Sequence, residues 1–93
     1  MSISNQMART LIIGDEIAIP TSAGTATSLA QATVVRVVNV SGAAATVGVS
    51  TLVGATGNLI TIPDGKVEYI EKRPNEVVYA SGTVRGAKVG FTA

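Results

Sequence analysis

Apolar and polar positions along this chain alternate with a period of two, in short runs broken by turn residues. No stretch holds a helical period beyond a turn or two. The first run is Arg9-Thr10-Leu11-Ile12-Ile13, ended by the turn pair Gly14-Asp15. Glu16-Ile17-Ala18-Ile19 alternates again and stops at Pro20, which has no N–H to give a ladder. Residues 21–32 are rich in Ser, Thr, Ala and Gly and read as a loop, within which Ser28-Leu29-Ala30-Gln31-Ala32 can make one helical turn.

Residues 33–40 carry five valines in eight positions, a composition poor for helix because β-branching restricts χ1 against the preceding turn. Alternation puts Val34, Arg36, Val38 and Val40 on one face and Thr33, Val35, Val37 and Asn39 on the other. Both faces are largely apolar, which predicts a central strand. Ser41-Gly42 then turns the chain and residues 45–50 alternate cleanly, so the pattern predicts a hairpin of 33–40 with 45–50. Asn58-Leu59-Ile60-Thr61-Ile62 is the next run. It ends at Pro63-Asp64-Gly65, where Pro fixes φ, Asp bonds the local backbone and Gly accepts a left-handed position. Residues 66–72, 76–80 and 83–91 complete the series, with Val67 and Tyr69 on one face and Val89 with Phe91 on another. Seven to nine short strands with a turn every 8–12 residues predict an all-β fold. A small antiparallel β-sandwich, immunoglobulin-like, is expected, with a barrel as the alternative. Residues 1–8 read as a polar N-terminal arm and 9–93 as a single β domain.

Composition narrows the chemistry. The chain has 93 residues, enough for one domain with a modest core, and it has neither cysteine nor histidine. Disulfides are impossible, a structural zinc site has no ligand set, and Ser-His and Cys-His nucleophiles lack their base or thiol. The carboxylates offer no facing pair for glycoside chemistry: Glu68 and Glu71 point to opposite faces of a regular strand, and Asp64 sits in a turn. Gly54-Ala55-Thr56-Gly57-Asn58 lacks the ending and the helix of a phosphate loop. Asn39-Val40-Ser41 matches a glycosylation sequon by chance, and Asp15-Glu16 reads as a solvated turn. Glu68, Glu71, Lys72, Arg73 and Glu76 read as a solvated sheet face of mixed sign. No enzyme activity and no cofactor are expected.

Charged residues make up only 14% of the chain and the net charge is +1, which leaves no electrostatic footprint for nucleic acid. No apolar run reaches a membrane span, and the N-terminus lacks the basic and apolar regions of a signal peptide, so neither membrane insertion nor export by that route is expected. A surface so poor in charge fits equally a neutral extracellular β module and a subunit whose faces are covered by other subunits.

Three stretches carry a family likeness: the valine-rich strand ending in Asn39-Val40-Ser41-Gly42, the run from Ile62 to Lys72, and Tyr79-Ala80-Ser81-Gly82 with Val89-Gly90-Phe91. Over about two-thirds of its length the chain resembles small virion structural proteins of tailed bacteriophages. The resemblance implies a capsid decoration or cement protein on the outer surface of the phage head, assembled into the virion in the host cytoplasm. The major capsid protein or other virion subunits would be its partners, and homo-oligomers are compatible with it. Sheet edges could accept a neighbour's strand. The expected contact residues are Met1, Ser2, Ile3, Ser4, Asn5, Gln6, Met7 and Arg9. The alternatives are a tail, neck or fibre component, or a receptor-binding β module using loops 21–32 and 53–58.

Overall fold

The computed structural model describes residues 9–92, which form two antiparallel sheets packed face to face. The strands are β1 (Arg9–Ile12), β2 (Ile17–Ala18), β3 (Val34–Asn39), β4 (Ala45–Ser50), β5 (Asn58–Ile62), β6 (Val67–Glu71), β7 (Val77–Ala80) and β8 (Val84–Thr92). The larger sheet runs β1-β8-β3-β6, with β2 also beside β8; the smaller runs β5-β4-β7. The sandwich predicted from alternation is the fold observed, and the sheets do not close into a barrel.

Strand β3 is central, flanked by β8 and β6, as its two apolar faces require. Its Val35 and Val37 meet Val47 of β4, Ile62 of β5 and Val78 and Ala80 of β7 in one core. The expected hairpin of β3 with β4 does not form. β4 pairs with β5 and β7, and β3 lies in the opposite sheet. The reason is burial: Val35 and Val37 on one strand and Ala45 and Val47 on the other each need a covering layer, and facing across the core supplies it to both.

Asn39 holds the crossing between the sheets. Its side chain is 0% exposed. Nδ2 donates to the carbonyls of Ala43 and Ile62, both at 2.7 Å, while Oδ1 accepts from Ser41 N at 2.9 Å and Ser41 Oγ at 2.7 Å. The Asn39-Val40-Ser41 triplet is therefore a corner whose Asn39 side chain turns inward while Val40 and Ser41 stay exposed. The Pro63-Asp64-Gly65 turn lies against it: Gly65 takes a φ of 77° and donates to Asn39 O at 2.8 Å, and the Asp64 carboxylate accepts from Gly42 N at 2.9 Å.

Segment 20–32 runs along the free edge of β7. Ala80 N donates to Pro20 O at 2.9 Å, and Thr27 exchanges backbone bonds with Val78. Ala26 packs on Val77 and Tyr79, on the face of β7 turned away from the core. The helical turn over 28–32 forms, closed by Ala32 N donating to Ser28 O at 3.1 Å, but it is left-handed, with φ of 54°, 56° and 60° at Leu29, Ala30 and Gln31. Such backbone costs about 1–2 kcal/mol per L-residue. Burial of Leu29 and Ala32 offsets it, as do bonds from Leu29 N to Thr27 Oγ1 and from Lys88 Nζ to Ala30 O.

Candidate docking surface

Strand β3 pairs β8 only from Val84 to Lys88, whereas β1 pairs it from Val89 to Thr92. The end of β8 and β1 thus form a two-stranded ribbon that β3 does not accompany. Alternation places Ile12 and Phe91 on one face of this ribbon and Leu11 and Ile13 on the other. A ribbon with no full second layer leaves much of both faces in water. Ile12 is 79% exposed, Ile13 53%, Leu11 51% and Phe91 47%.

The ribbon also curls over the outer face of the larger sheet. Tyr69, on β6, places its hydroxyl 3.2 Å from Thr10 Oγ1 on β1, and its ring centroid lies 5.3 Å from that of Phe91 with the rings tilted at 57°. In a flat sheet β1 and β6, separated by two strands, would stand roughly 14 Å apart. Coiling of the sheet closes that gap and leaves a groove of about 260 Å³, floored by Ala87 and Val89 and walled by Thr10, Ile12, Arg36 and Tyr69. Val89 faces this concavity and is 3% exposed because its neighbours close over it.

Glu16 stands at the groove rim and bridges two arginines, with Arg85 Nε at 2.9 Å and Arg36 Nη1 at 3.4 Å. Each partner keeps a third or more of its side-chain surface, so each pair contributes at most about 1 kcal/mol. Their effect is local: one carboxylate answers two guanidinium groups and ties residue 16 to the sheet. The groove therefore offers hydroxyls, an arginine and apolar walls, a set that can receive a partner's apolar side chain and backbone carbonyl. No group of three metal-binding side chains exists among the described residues, and no helix there is long and apolar enough to cross a membrane.

The expected solvated face of mixed charge is only partly so. Lys72 is buried, and its ammonium donates to the carbonyls of Arg73 at 3.2 Å and Glu76 at 2.8 Å, bracing the turn between β6 and β7. Burial pushes this ammonium below the ordinary lysine range, Glu76 partly restores it, and Lys88 lowers it further. Of the expected contact residues, Arg9 is exposed on β1 opposite Thr92, and Met1, Ser2, Ile3, Ser4, Asn5, Gln6 and Met7 lie outside the described residues. Loop 21–32, offered as a receptor loop, is partly committed to the core and to β7, while Leu52 and Val53 stand exposed after β4. The ribbon was legible in one signal that alternation passes over: Leu11, Ile12 and Ile13 are consecutive, and consecutive strand residues cannot all face one core. Comparison with protein families, with curated proteins and with solved structures finds no match.

Proposed function

We propose that this chain is a non-enzymatic structural subunit that docks on other protein subunits through the β1–β8 ribbon. The observation that carries the reading is that each face of the ribbon shows large apolar side chains about half exposed or more, Leu11 and Ile13 on one and Ile12 and Phe91 on the other. Contiguous exposed apolar surface on a small chain marks an interaction site, and covering it removes that area from water at about 25 cal/mol per Å². Arg9 borders the ribbon, and residues 1–8 lead directly into it.

In its finer form the proposal is a capsid decoration protein on the outer surface of a tailed-phage head, with the major capsid protein as partner. That form draws on the sequence resemblance and on the charge content of 14%. Repeated copies on a regular lattice supply avidity, so each contact can be modest. The test is co-sedimentation of the purified chain with DNA-free heads. Wild type is expected to pellet with heads, and Ile12→Lys, placed at the most exposed apolar position, to lose at least tenfold in apparent affinity while remaining folded. Equal binding by wild type and Ile12→Lys removes the ribbon from the interface; absence of wild-type binding removes the head. Leu52, at 67% exposure, and Val53, at 49%, favour a second reading, a fibre component or receptor-binding module that works through its loops. Binding to host cells that Leu52→Ser abolishes and Ile12→Lys spares would select it.

A further inference from the structure

Leu29, Ala30 and Gln31 are the only non-glycine residues with positive φ among the described ones, and they are consecutive. L-residues visit this region singly, because Cβ crowds the following carbonyl at each step. Three in a row persist only where the surroundings over-determine them. Here the surroundings are thin. Leu29 and Ala32 are buried, but Ala30 and Gln31 are exposed. A hollow of about 210 Å³, bounded also by Ile17 and Lys88, lies against Leu29 and Ala30.

The same segment covers the edge of β7. Pro20 O accepts from Ala80 N at 2.9 Å, while Thr27 accepts from Val78 N at 2.8 Å and donates to Val78 O at 3.1 Å. Gly54 N adds a bond to Ala23 O at 2.8 Å. These four are the backbone bonds that residues 20–32 make to the rest of the fold, between anchors at Ile19, bonded to Val84 O, and Thr33, whose carbonyl accepts from Lys72 N. Strand β4, by contrast, is paired on both sides.

We infer that residues 20–32 form a spring-loaded strap, which opens as a unit from β7 and from the core while both sheets stay paired. Closing it buries Leu29 and Ala32 and completes the four bonds; opening returns three residues from left-handed backbone to unstrained conformations. The two sides offset, so the strap opens at a lower free energy than the sheets do. Its opening bares the N–H groups of Val78 and Ala80, the edge that the closed strap protects. The strap is a gate on β7, separate from the ribbon.

Alternation along β7 supplies an internal reference. Ser81 N donates to Thr46 O and Tyr79 pairs with Gly48, so the Tyr79 N–H faces β4 while those of Val78 and Ala80 face the strap. One strand therefore reports on both edges.

The test is native-state amide exchange of the full chain at rising urea, below the unfolding transition. Val78 and Ala80, together with Thr27 and Ala32, are expected to exchange at least tenfold faster than Tyr79 and with little urea dependence, since opening the strap exposes little surface. Exchange of all five amides at one rate and one urea slope overturns the inference. The spring is tested by the double variant Ala30→Gly with Gln31→Gly. Glycine takes positive φ freely, and both side chains are exposed, so burial is untouched. This variant is expected to slow exchange at Val78 and Ala80 about tenfold, with far-UV circular dichroism unchanged. At an unstrained site glycine would speed it by loosening the open chain, so unchanged or faster exchange at these amides overturns the spring. Ile12→Lys should leave all five amides as in wild type, because strap and ribbon share no residue; failure of docking and failure of the strap are thus read separately.

Discussion

Asn39 satisfies four polar groups from one fully buried side chain, at the point where the chain passes from one sheet to the other. Asn39→Ala removes the donor to the carbonyl of buried Ile62, while the Ala43 carbonyl keeps Ser41 Oγ and exposed Ser41 N can turn to water; an unmet buried group costs about 1–3 kcal/mol. We expect Asn39→Ala to lose about 1–3 kcal/mol, read as a fall in urea midpoint with an unchanged m-value. Alternation put Asn39 on the same strand face as Val35 and Val37, but the partners it meets across the corner were not legible there. Lys72 shows the same limit: within a run of charges nothing distinguished the one ammonium that caps a turn. Burial is the larger cause of its depressed pKa, so the folded state holds that proton less tightly than the unfolded chain. The penalty is fully present below the depressed folded value, and stability recovers as pH rises from there toward the ordinary lysine value of 10.5. In urea titrations at successive alkaline pH values, wild type should therefore gain relative to Lys72→Met, which carries no such proton. A gap that stays constant across that window would contradict the assignment.

Single strands were readable and their pairing was less so. The bounds of β4 and β5 follow directly from alternation and turn residues, and β7 begins one residue later than the run 76–80. The hairpin of β3 with β4 failed because a Ser-Gly turn is compatible both with a return in the same sheet and with a crossing to the opposite one. Local turn chemistry does not separate these; the covering that each apolar face needs does. The Pro63-Asp64-Gly65 turn likewise links strands of different sheets, β5 to β6. Within the smaller sheet the β4–β5 pair depends on close backbone approach. A Cβ added at Gly57 would collide with the Val49 carbonyl, and its N–H donates to the Tyr79 hydroxyl at 3.0 Å. Gly57→Ala must push the start of β5 away from β4, and a loss of about 2–3 kcal/mol is expected. Amide exchange should show the opening at Asn58 and Ile60, whose backbone groups face β4, before it shows at β3. Equal acceleration in both sheets would mean that the two sheets open as one unit.

At the scale of the whole molecule, composition and fold point the same way. A 93-residue sandwich without disulfides, whose core is built mainly of valine and alanine, has little apolar volume to spare. Yet among the described residues twelve large apolar side chains remain about two-fifths exposed or more, from Leu11 to Phe91. Low charge content made this imbalance visible in the sequence, but not its location, because the ribbon arises from a length mismatch between β3 and β8 that no single segment records. A molecule that leaves so much apolar surface outside its own core gains stability when a partner covers it. Under the docking proposal, binding at a free partner concentration about a hundredfold above the dissociation constant adds about 2.7 kcal/mol to the folded state. For a domain of this size each kcal/mol moves the midpoint by roughly 4–8 °C, so the head-bound chain should melt about 10–20 °C above the free one. Calorimetry of the chain alone, of empty heads and of their mixture resolves the two transitions. Because Ile12→Lys removes docking without touching the core, its free transition should stay near that of wild type while the upward shift on heads disappears. A shift that survives in Ile12→Lys would place the stabilising contact elsewhere on the molecule.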